Sequence, residues 1–369
     1  MNTGQSATQP LDAAEPHGAA APEVVEDLVR RAERAGASDI HIQAGPDGAA
    51  VAFRLDGLLT PVTRLPGELA ARVLGRIKFL ARLKTYQDSL PQEGRIAREL
   101  LGTASDLRVA TYPTVTGEKL VLRLFQTGAT QSLDALGFPA AALGELKEFL
   151  RKSSGLLLLT GPAGSGKTTT IYACLRHLTE SGSRHIITVE DPVERVLPGV
   201  MQTEVHEPQG LSFAEAARHL LRQDPEVLVI GEIRDDETAG IAVRAALTGH
   251  LVISTLHAGS CVGVLERLLV LCADRSAIAA VLELIFNQRL LRRVCGGCGG
   301  AGCEACLRTG YRGRVPAVEW LRVDESVRAA IRRHDLSGVG PAGSLASAAH
   351  ALALSGQTTL GECQRVLGL

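Results

Sequence analysis

The sequence predicts an α/β protein in two parts. A small α+β unit spans residues 23–130, and a larger α/β unit built on a mostly parallel sheet spans residues 131–369. Three observations predict it. Up to about residue 125, apolar and polar residues alternate with period two in short runs separated by turn signals, as in half-buried antiparallel strands. Beyond residue 131 the strand-like runs are continuously apolar (Leu156–Leu159, His185–Val189, Val227–Ile230, Leu251–Ser254) and alternate with helical stretches, which suits a parallel sheet covered on both faces. A glycine-rich turn joins the first of these runs to a helix-like segment reaching Leu178. The length, 369 residues, and the 45% hydrophobic content suit about two domains with sizeable cores.

The elements follow in order. Met1–Pro22, rich in Ala, Gln, Thr, Pro and Gly, reads as a disordered tail; it has no basic start followed by an apolar stretch, so it is not a signal peptide. Val24, Val25, Leu28, Val29 and Ala32 repeat at helical spacing up to Gly36. Ser38–Gln43 alternates as a strand. Val51–Leu55 follows, and Asp56-Gly57 is a hairpin signal before Leu58. Leu69–Leu83 is helical and basic-faced. Leu107–Tyr112 and Lys119–Phe125 are strands joined across Thr116-Gly117, which gives the first unit an antiparallel sheet. Gln126–Gln131 is a short polar linker. Asp335–Leu369 is helical in character and carries no chemical motif, and no repeat of 20–50 residues is present.

Composition narrows the function. A net charge of −1 and 3% aromatic residues argue against nucleic acid as a partner. No apolar run reaches the roughly 20 residues that span a bilayer. The expectation is a soluble, cytoplasmic protein that can still dock on a membrane complex.

The turn Gly161-Pro-Ala-Gly-Ser-Gly166-Lys167-Thr168 is a phosphate loop in its proper context of strand, turn and helix. Glycines let backbone N–H groups curl around phosphate oxygens, Lys167 supplies charge to the β- and γ-phosphates, and Thr168 is placed for Mg²⁺. Candidate nucleotide contacts are therefore Gly161, Pro162, Ala163, Gly164, Ser165, Gly166, Lys167, Thr168 and Thr169. The next apolar strand ends in Glu190-Asp191-Pro192, where ligands bind in open α/β sheets; either acid could serve as the base that activates water. The third ends in Gly231-Glu232. P-loop enzymes usually place Asp-Glu there, so Glu232 is a candidate for the Mg²⁺ shell or for orienting water, and another acid must share the work. His250 and His257 bracket the fourth strand and are candidate sensors of γ-phosphate charge. Of eight cysteines, Cys295, Cys298, Cys303 and Cys306 form two C-x-x-C pairs four residues apart, a pattern that favours metal over disulfides, and structural zinc over free thiols or an iron–sulfur cluster; the other four read as small core residues.

These motifs lie in an order that resembles the secretion ATPase superfamily, specifically the type II secretion and type IV pilus assembly ATPases. The stretches that carry the likeness are Ser38-Asp-Ile-His-Ile, Arg54-Leu-Asp-Gly, Pro91-Gln-Glu-Gly-Arg95, Arg108-Val, Gly117-Glu-Lys, the phosphate loop, Val189–Glu194, Leu221-Arg-Gln-Asp-Pro225, Gly231–Asp235, Thr248-Gly-His250 and Gln288-Arg-Leu290. The resemblance implies a RecA-like motor domain after a PAS-like α+β domain. It implies that Glu190 lies in an acidic box, Glu232 is the Walker B glutamate, and His250 and His257 form a histidine box. Arg95 and Arg108 would be arginines that reach a nucleotide across a domain interface. ATP, Mg²⁺ and structural Zn²⁺ are the implied cofactors.

Two features depart from the family pattern, Glu93 in place of Asp before Gly94-Arg95 and Ala258-Gly259 in place of Thr-Asn after His257; the expectation is also that the family's extra amino-terminal docking domain has no counterpart here, since Ser38-Asp-Ile-His-Ile belongs to the second family domain. Retraction-type pilus ATPases generally lack the cysteine motif, which favours the assembly or secretion branch. The implied function is a homo-hexameric ATPase at the inner membrane. It would act on a platform protein, with a recruiting protein, to drive pilin or pseudopilin assembly through a hinge at the Gln126–Gln131 linker. A non-hydrolysing nucleotide-binding scaffold and a DNA-translocating motor are the alternatives.

Overall fold

The computed structural model describes residues 20–104, 106–124, 130–182, 184–206 and 210–368. Of the expected tail only its end is described, and there Ala21 and Pro22 open the first helix; residues 1–19 and most of the 126–131 linker lie outside the described residues. By packing the chain divides into two units, 1–129 with 295–313, and 130–294 with 314–369.

The first unit contains α1 (Ala21–Ala35), β1 (Asp39–Gly45), β2 (Gly48–Leu55), β3 (Leu58–Pro66), α2 (Gly67–Leu80), β4 (Gln92–Ile96), β5 (Leu107–Thr114) and β6 (Gly117–Leu124). Helix α1 begins with Pro22 in its first turn and stops at Gly36, whose φ of 71° closes a left-handed cap. Helix α2 ends at Leu80, short of the expected Leu83, because Arg82 turns the chain into the left-handed region. The strands form one sheet in the order β3-β2-β1-β6-β5-β4, and each adjacent pair is antiparallel. The period-two pattern sends Ile40, Ile42, Val51, Phe53, Leu107, Val109, Leu120 and Leu122 to the face that packs on Val25, Leu28, Val29, Val73 and Ile77 of the two helices.

In the second unit α3 (Ala140–Arg151), β7 (Gly155–Thr160), α4 (Lys167–Ser181), β8 (Ile186–Glu190), β9 (Val200–Glu204), α5 (Phe213–Leu220), β10 (Val227–Ile230), α6 (Asp236–Leu247) and β11 (Leu251–Thr255) come first. They are followed by α7 (Cys261–Leu271), α8 (Arg275–Val281), β12 (Leu282–Val294), β13 (Tyr311–Arg322), α9 (Glu325–Arg333), α10 (Leu345–Leu354) and α11 (Leu360–Leu367). The sheet order is β13-β12-β7-β11-β10-β8-β9, with parallel pairing from β12 through β9. Both faces are covered, which is why the strands read as unbroken apolar runs. Leu156, Leu158, Ile187, Leu228 and Val252 face α5 to α9. Leu157, Leu159, Ile186, Val229 and Ile253 face α3 and α4.

The sequence reading puts the cysteine motif in the motor domain, whereas packing groups residues 295–313 with the first unit. Leu307 packs against the first unit's core, and the Gly313 N–H donates to the Asp56 carboxylate at 2.8 Å.

The last helix, α11, is fastened to β12 by one buried acid. Glu362 accepts from the backbone N–H, Nε and Nη2 of Arg292 at 3.0, 3.0 and 2.8 Å, and from Arg365 at 2.6 and 2.7 Å. Burial alone would raise this carboxyl, but the hydrogen bonds from Arg365 and Arg292 outweigh it and hold the pKa at about 2. A folded-state pKa below the ordinary 4.5 contributes stability above pH 4.5, and that contribution is lost as the pH falls toward 2. Thermal melts between pH 6 and 2 should therefore show a steeper acid decline for the native protein than for Glu362→Gln. Equal slopes would remove Glu362 as the cause.

Candidate nucleotide site and four-cysteine cluster

The phosphate loop grows from β7, and parallel pairing brings the carboxyl ends of β8, β10, β11 and β12 to the same edge of the sheet. Gly161, Gly164 and Gly166 have φ of 139°, 72° and 94°. Two of these also need the missing Cβ for space or geometry: one at Gly161 would lie 2.5 Å from the Gln288 carbonyl and 2.6 Å from Ser165 Oγ, and Gly166 is the left-handed N-cap of α4. The loop is therefore a backbone cradle opening onto a helix N-terminus, the geometry that binds phosphate. Lys167 Nζ donates to the carbonyls of Gly161 and Pro162 at 2.8 and 3.0 Å. Burial lowers its pKa, and the charge of Glu232 works in the opposite direction. The buried Ser165 Oγ has no hydrogen-bond partner among the described residues. A cradle closed to side chains and a buried donor at its base fit a polyphosphate.

Glu190 ends β8 and is only 8% exposed. Its oxygens accept from Tyr172 Oη at 2.5 Å, Thr188 Oγ1 at 2.6 Å and Gln202 Nε2 at 2.9 Å. Burial and this carboxylate push the Tyr172 hydroxyl pKa up. Glu232, after β10, is more open, with its side chain 22% exposed; Oε1 lies 3.1 Å from His257 Nε2 and Oε2 lies 3.1 Å from Arg234 Nε. Arg234 also approaches Asp191 at 3.6 Å and stacks its guanidinium 5.5 Å from the Phe213 ring centroid. One arginine thus ties together the acids that follow β8 and β10. Position 231 has little room for the usual aspartate: a Cβ there would lie 3.0 Å from the Val189 carbonyl and 3.1 Å from the Phe213 ring.

The two histidines part company. His257 follows β11 at the phosphate-loop edge, beside Glu232. His250 precedes β11, and its carbonyl accepts from Gly155 N–H at the start of β7. A five-residue strand, roughly 17 Å, separates the two edges. His250 Nδ1 contacts the Ala245 carbonyl at 2.8 Å and Thr248 Oγ1 at 3.1 Å, so it closes the end of α6 rather than facing this loop. The order of the two histidines in the chain already sets His250 before β11 and His257 after it, and only the strand's carboxyl end lies at the ligand edge of such a sheet.

In the first unit Arg95 and Arg108 stand opposite each other on β4 and β5, and Arg95 pairs with Asp106 at 2.5 Å. The same cross-strand row continues through Arg123, Asp39 and Arg54. Buried Asp39 holds Arg123 at 3.1 Å and Arg54 at 3.5 Å. Sequence alone does not single out Arg123 or Arg54, although Arg54 lies in the Arg54-Leu-Asp-Gly stretch. Sequence also does not single out Arg234 or Tyr172; Arg234 sits inside the Gly231–Asp235 motif, while Tyr172 is one buried residue of α4 with no motif of its own.

The sulfurs of Cys295, Cys298, Cys303 and Cys306 all lie within 4.8 Å of one another. Individual separations are 3.9 Å (Cys295–Cys303), 3.8 Å (Cys298–Cys306) and 3.7 Å (Cys303–Cys306). A metal–sulfur bond of about 2.3 Å at tetrahedral angles sets ligands about 3.8 Å apart, so the donor set is compatible with zinc. Backbone N–H groups of Gly302 and Cys303 donate to Cys298 and Cys306 sulfurs at 3.2 Å, which favours thiolates.

Comparison with known proteins agrees with this geometry. A family model described as type II/IV secretion system protein matches residues 15–365. The type II secretion system protein HxcR of Pseudomonas aeruginosa is 40% identical over 365 residues, covering 95% of this chain and 78% of that protein. The type II secretion system protein E of Klebsiella pneumoniae is 40% identical over 334 residues, covering 84% of this chain and 67% of that protein. The crystal structure of the pilus retraction motor PilT with bound ADP superimposes with a TM-score of 0.66 at 29% identity, covering 92% of this chain and 96% of that one.

Proposed function

This chain belongs to the type II/IV secretion system protein family, and from that premise we propose that it is an ATP-hydrolysing motor that drives pilin or pseudopilin assembly. The observation that carries the reading is the convergence of the phosphate loop, Glu232 and His257 on one edge of a parallel sheet. ATP would lie along Gly161–Thr169, its terminal phosphates met by Lys167 and by loop N–H groups. Mg²⁺, held by Thr168 and Glu232, would supply charge neutralisation on those phosphates. Glu232, oriented by His257 and Arg234, is the better placed of the two acids to hold the attacking water, because the Glu190 oxygens already accept three hydrogen bonds. Glu190 would then act by fixing α4 and β9 around the site. Arg95 and Arg108 would stabilise charge on the γ-phosphate, by analogy with arginine fingers in other phosphoryl-transfer enzymes.

The motor is proposed to work as a homo-hexamer on the cytoplasmic face of the inner membrane, through a platform protein and a recruiting protein. Among the described residues no helix is long and apolar enough to cross a membrane. The four-cysteine motif supports the assembly or secretion branch over retraction. Steady-state phosphate release by the full chain with Mg·ATP tests the reading: magnesium-dependent turnover is expected, and its absence from folded protein would overturn it.

The cluster is proposed to hold one structural Zn²⁺. Elemental analysis is expected to give one zinc per chain. Stripping the metal with a strong chelator is expected to lower the thermal midpoint, because a segment rich in glycine (Gly296, Gly297, Gly299, Gly300, Gly302) has little apolar surface to hold it. A content well below one equivalent would refute zinc.

A further inference from the structure

We propose that Arg289 is a second cationic contact for the phosphates held by the Gly161–Thr169 loop, and that Asn287 and Glu319 position it. The inference rests on the nucleotide-binding reading above and adds a residue to it. Strand β12 runs parallel to β7 with Asn287 opposite Thr160, so Gln288 and Arg289 come level with the first residues of the loop. The Gln288 carbonyl lies where it would crowd a Cβ on Gly161, and Arg289 Nη1 donates to that same carbonyl at 3.0 Å. Lys167 Nζ donates to the Gly161 carbonyl at 2.8 Å. A guanidinium and an ammonium therefore flank one glycine.

No carboxylate among the described residues lies within ion-pair distance of either group; their bonds run to carbonyl oxygens and to the Asn287 amide oxygen. Burial lowers the pKa of each. Two half-buried cations that repel one another, beside a cradle of N–H groups, form a site whose missing complement is a multiply charged anion.

The orientation of Arg289 is built in. Glu319 is 6% exposed and accepts from the Cys261 N–H at 2.8 Å, from Asn287 Nδ2 at 3.2 Å and from the Leu345 N–H at 3.4 Å. Asn287 Nδ2 also donates to the Gly259 carbonyl at 2.9 Å. A carboxylate only accepts, so it fixes which end of the Asn287 amide faces it. The amide oxygen is left toward Arg289, which only donates, and it accepts from Nη1 at 2.8 Å. Arg289 Nη2 also reaches the Gly259 carbonyl at 3.5 Å, in the loop that follows His257. Phosphate bound by Arg289 would thereby be communicated to the segment carrying His257.

The test is equilibrium titration of the full chain with fluorescent ATP and ADP analogues in Mg²⁺, at two salt concentrations. Arg289→Gln is expected to weaken ATP binding by roughly tenfold or more, the scale of a charge-assisted hydrogen bond, and to flatten its salt dependence. Arg289→Lys is expected to recover part of the affinity, and Asn287→Ala to lose a smaller part. ATP binding by Arg289→Gln equal to wild type, or Arg289→Lys as weak as Arg289→Gln, would overturn the inference while leaving the nucleotide reading intact. Wild type that binds no better than Lys167→Ala would instead overturn the nucleotide reading itself. Should Arg289→Gln not fold, Asn287→Ala carries the test, and unchanged ATP affinity in that variant overturns the positioning.

Discussion

Lys167→Ala is expected to lower ATP turnover by roughly a hundredfold or more, the cost of removing one preorganised stabiliser of transition-state charge. The lysine opens α4 directly behind the left-handed Gly166, so its charge is aimed back along the loop, and burial raises what that charge is worth. The loop backbone is set by its glycines and survives the substitution, so the variant should keep its melting behaviour and lose function. Phosphate release at saturating Mg·ATP, with a thermal melt beside it, measures both. Turnover equal to wild type would remove the phosphate loop from the chemistry.

Glu232→Gln should separate binding from hydrolysis. The amide keeps the shape and can still bond His257, but it cannot carry the negative charge that polarises water or faces a bound cation. The expected result is ATP affinity within a few-fold of wild type and kcat lowered by about two orders of magnitude, in the range of a general-base contribution. Single-turnover and binding measurements on the same preparation check it. Parallel losses in binding and kcat would show that Glu232 holds nucleotide instead of acting in the chemical step. The corresponding Glu190→Gln variant should differ, because its two oxygens already serve Tyr172, Thr188 and Gln202, and an amide nitrogen there would face donors. Its principal effect should be on stability.

Much of the fold was legible because burial on two faces writes itself as an unbroken apolar run. Leu156–Leu159, Val227–Ile230 and Leu251–Ser254 are strands at those positions. β12 and β13 were not legible as strands. The second half of β12 carries Asn287, Gln288, Arg289, Arg292 and Arg293, each polar for a reason of its own, and no period remains to be read. β4 escaped for a similar reason: one buried residue, Ile96, in five leaves no pattern. In the site, residues contiguous in sequence were readable and residues assembled across the chain were not. Gly161–Thr169 declares itself, whereas the Asn287–Glu319 contact joins positions 32 apart and the acceptors that Arg234 bridges come from two strands. His250 shows the remaining weakness: pairing it with His257 as one histidine box overlooks that it precedes β11 and so lies at the edge of the sheet away from the loop.

The grouping of residues 295–313 with the first unit makes that unit discontinuous in the polypeptide. Covalent crossings between the two parts occur at three places, after residues 129, 294 and 313. A fragment ended near residue 124 would therefore lack a piece of itself: the patch that receives Leu307 would meet water, and Asp56 would lose the Gly313 N–H. Expression of the amino-terminal part alone is for that reason an unsuitable route to its properties. A graft that splices 295–313 back, cysteines included, is the minimal excision that keeps its packing whole.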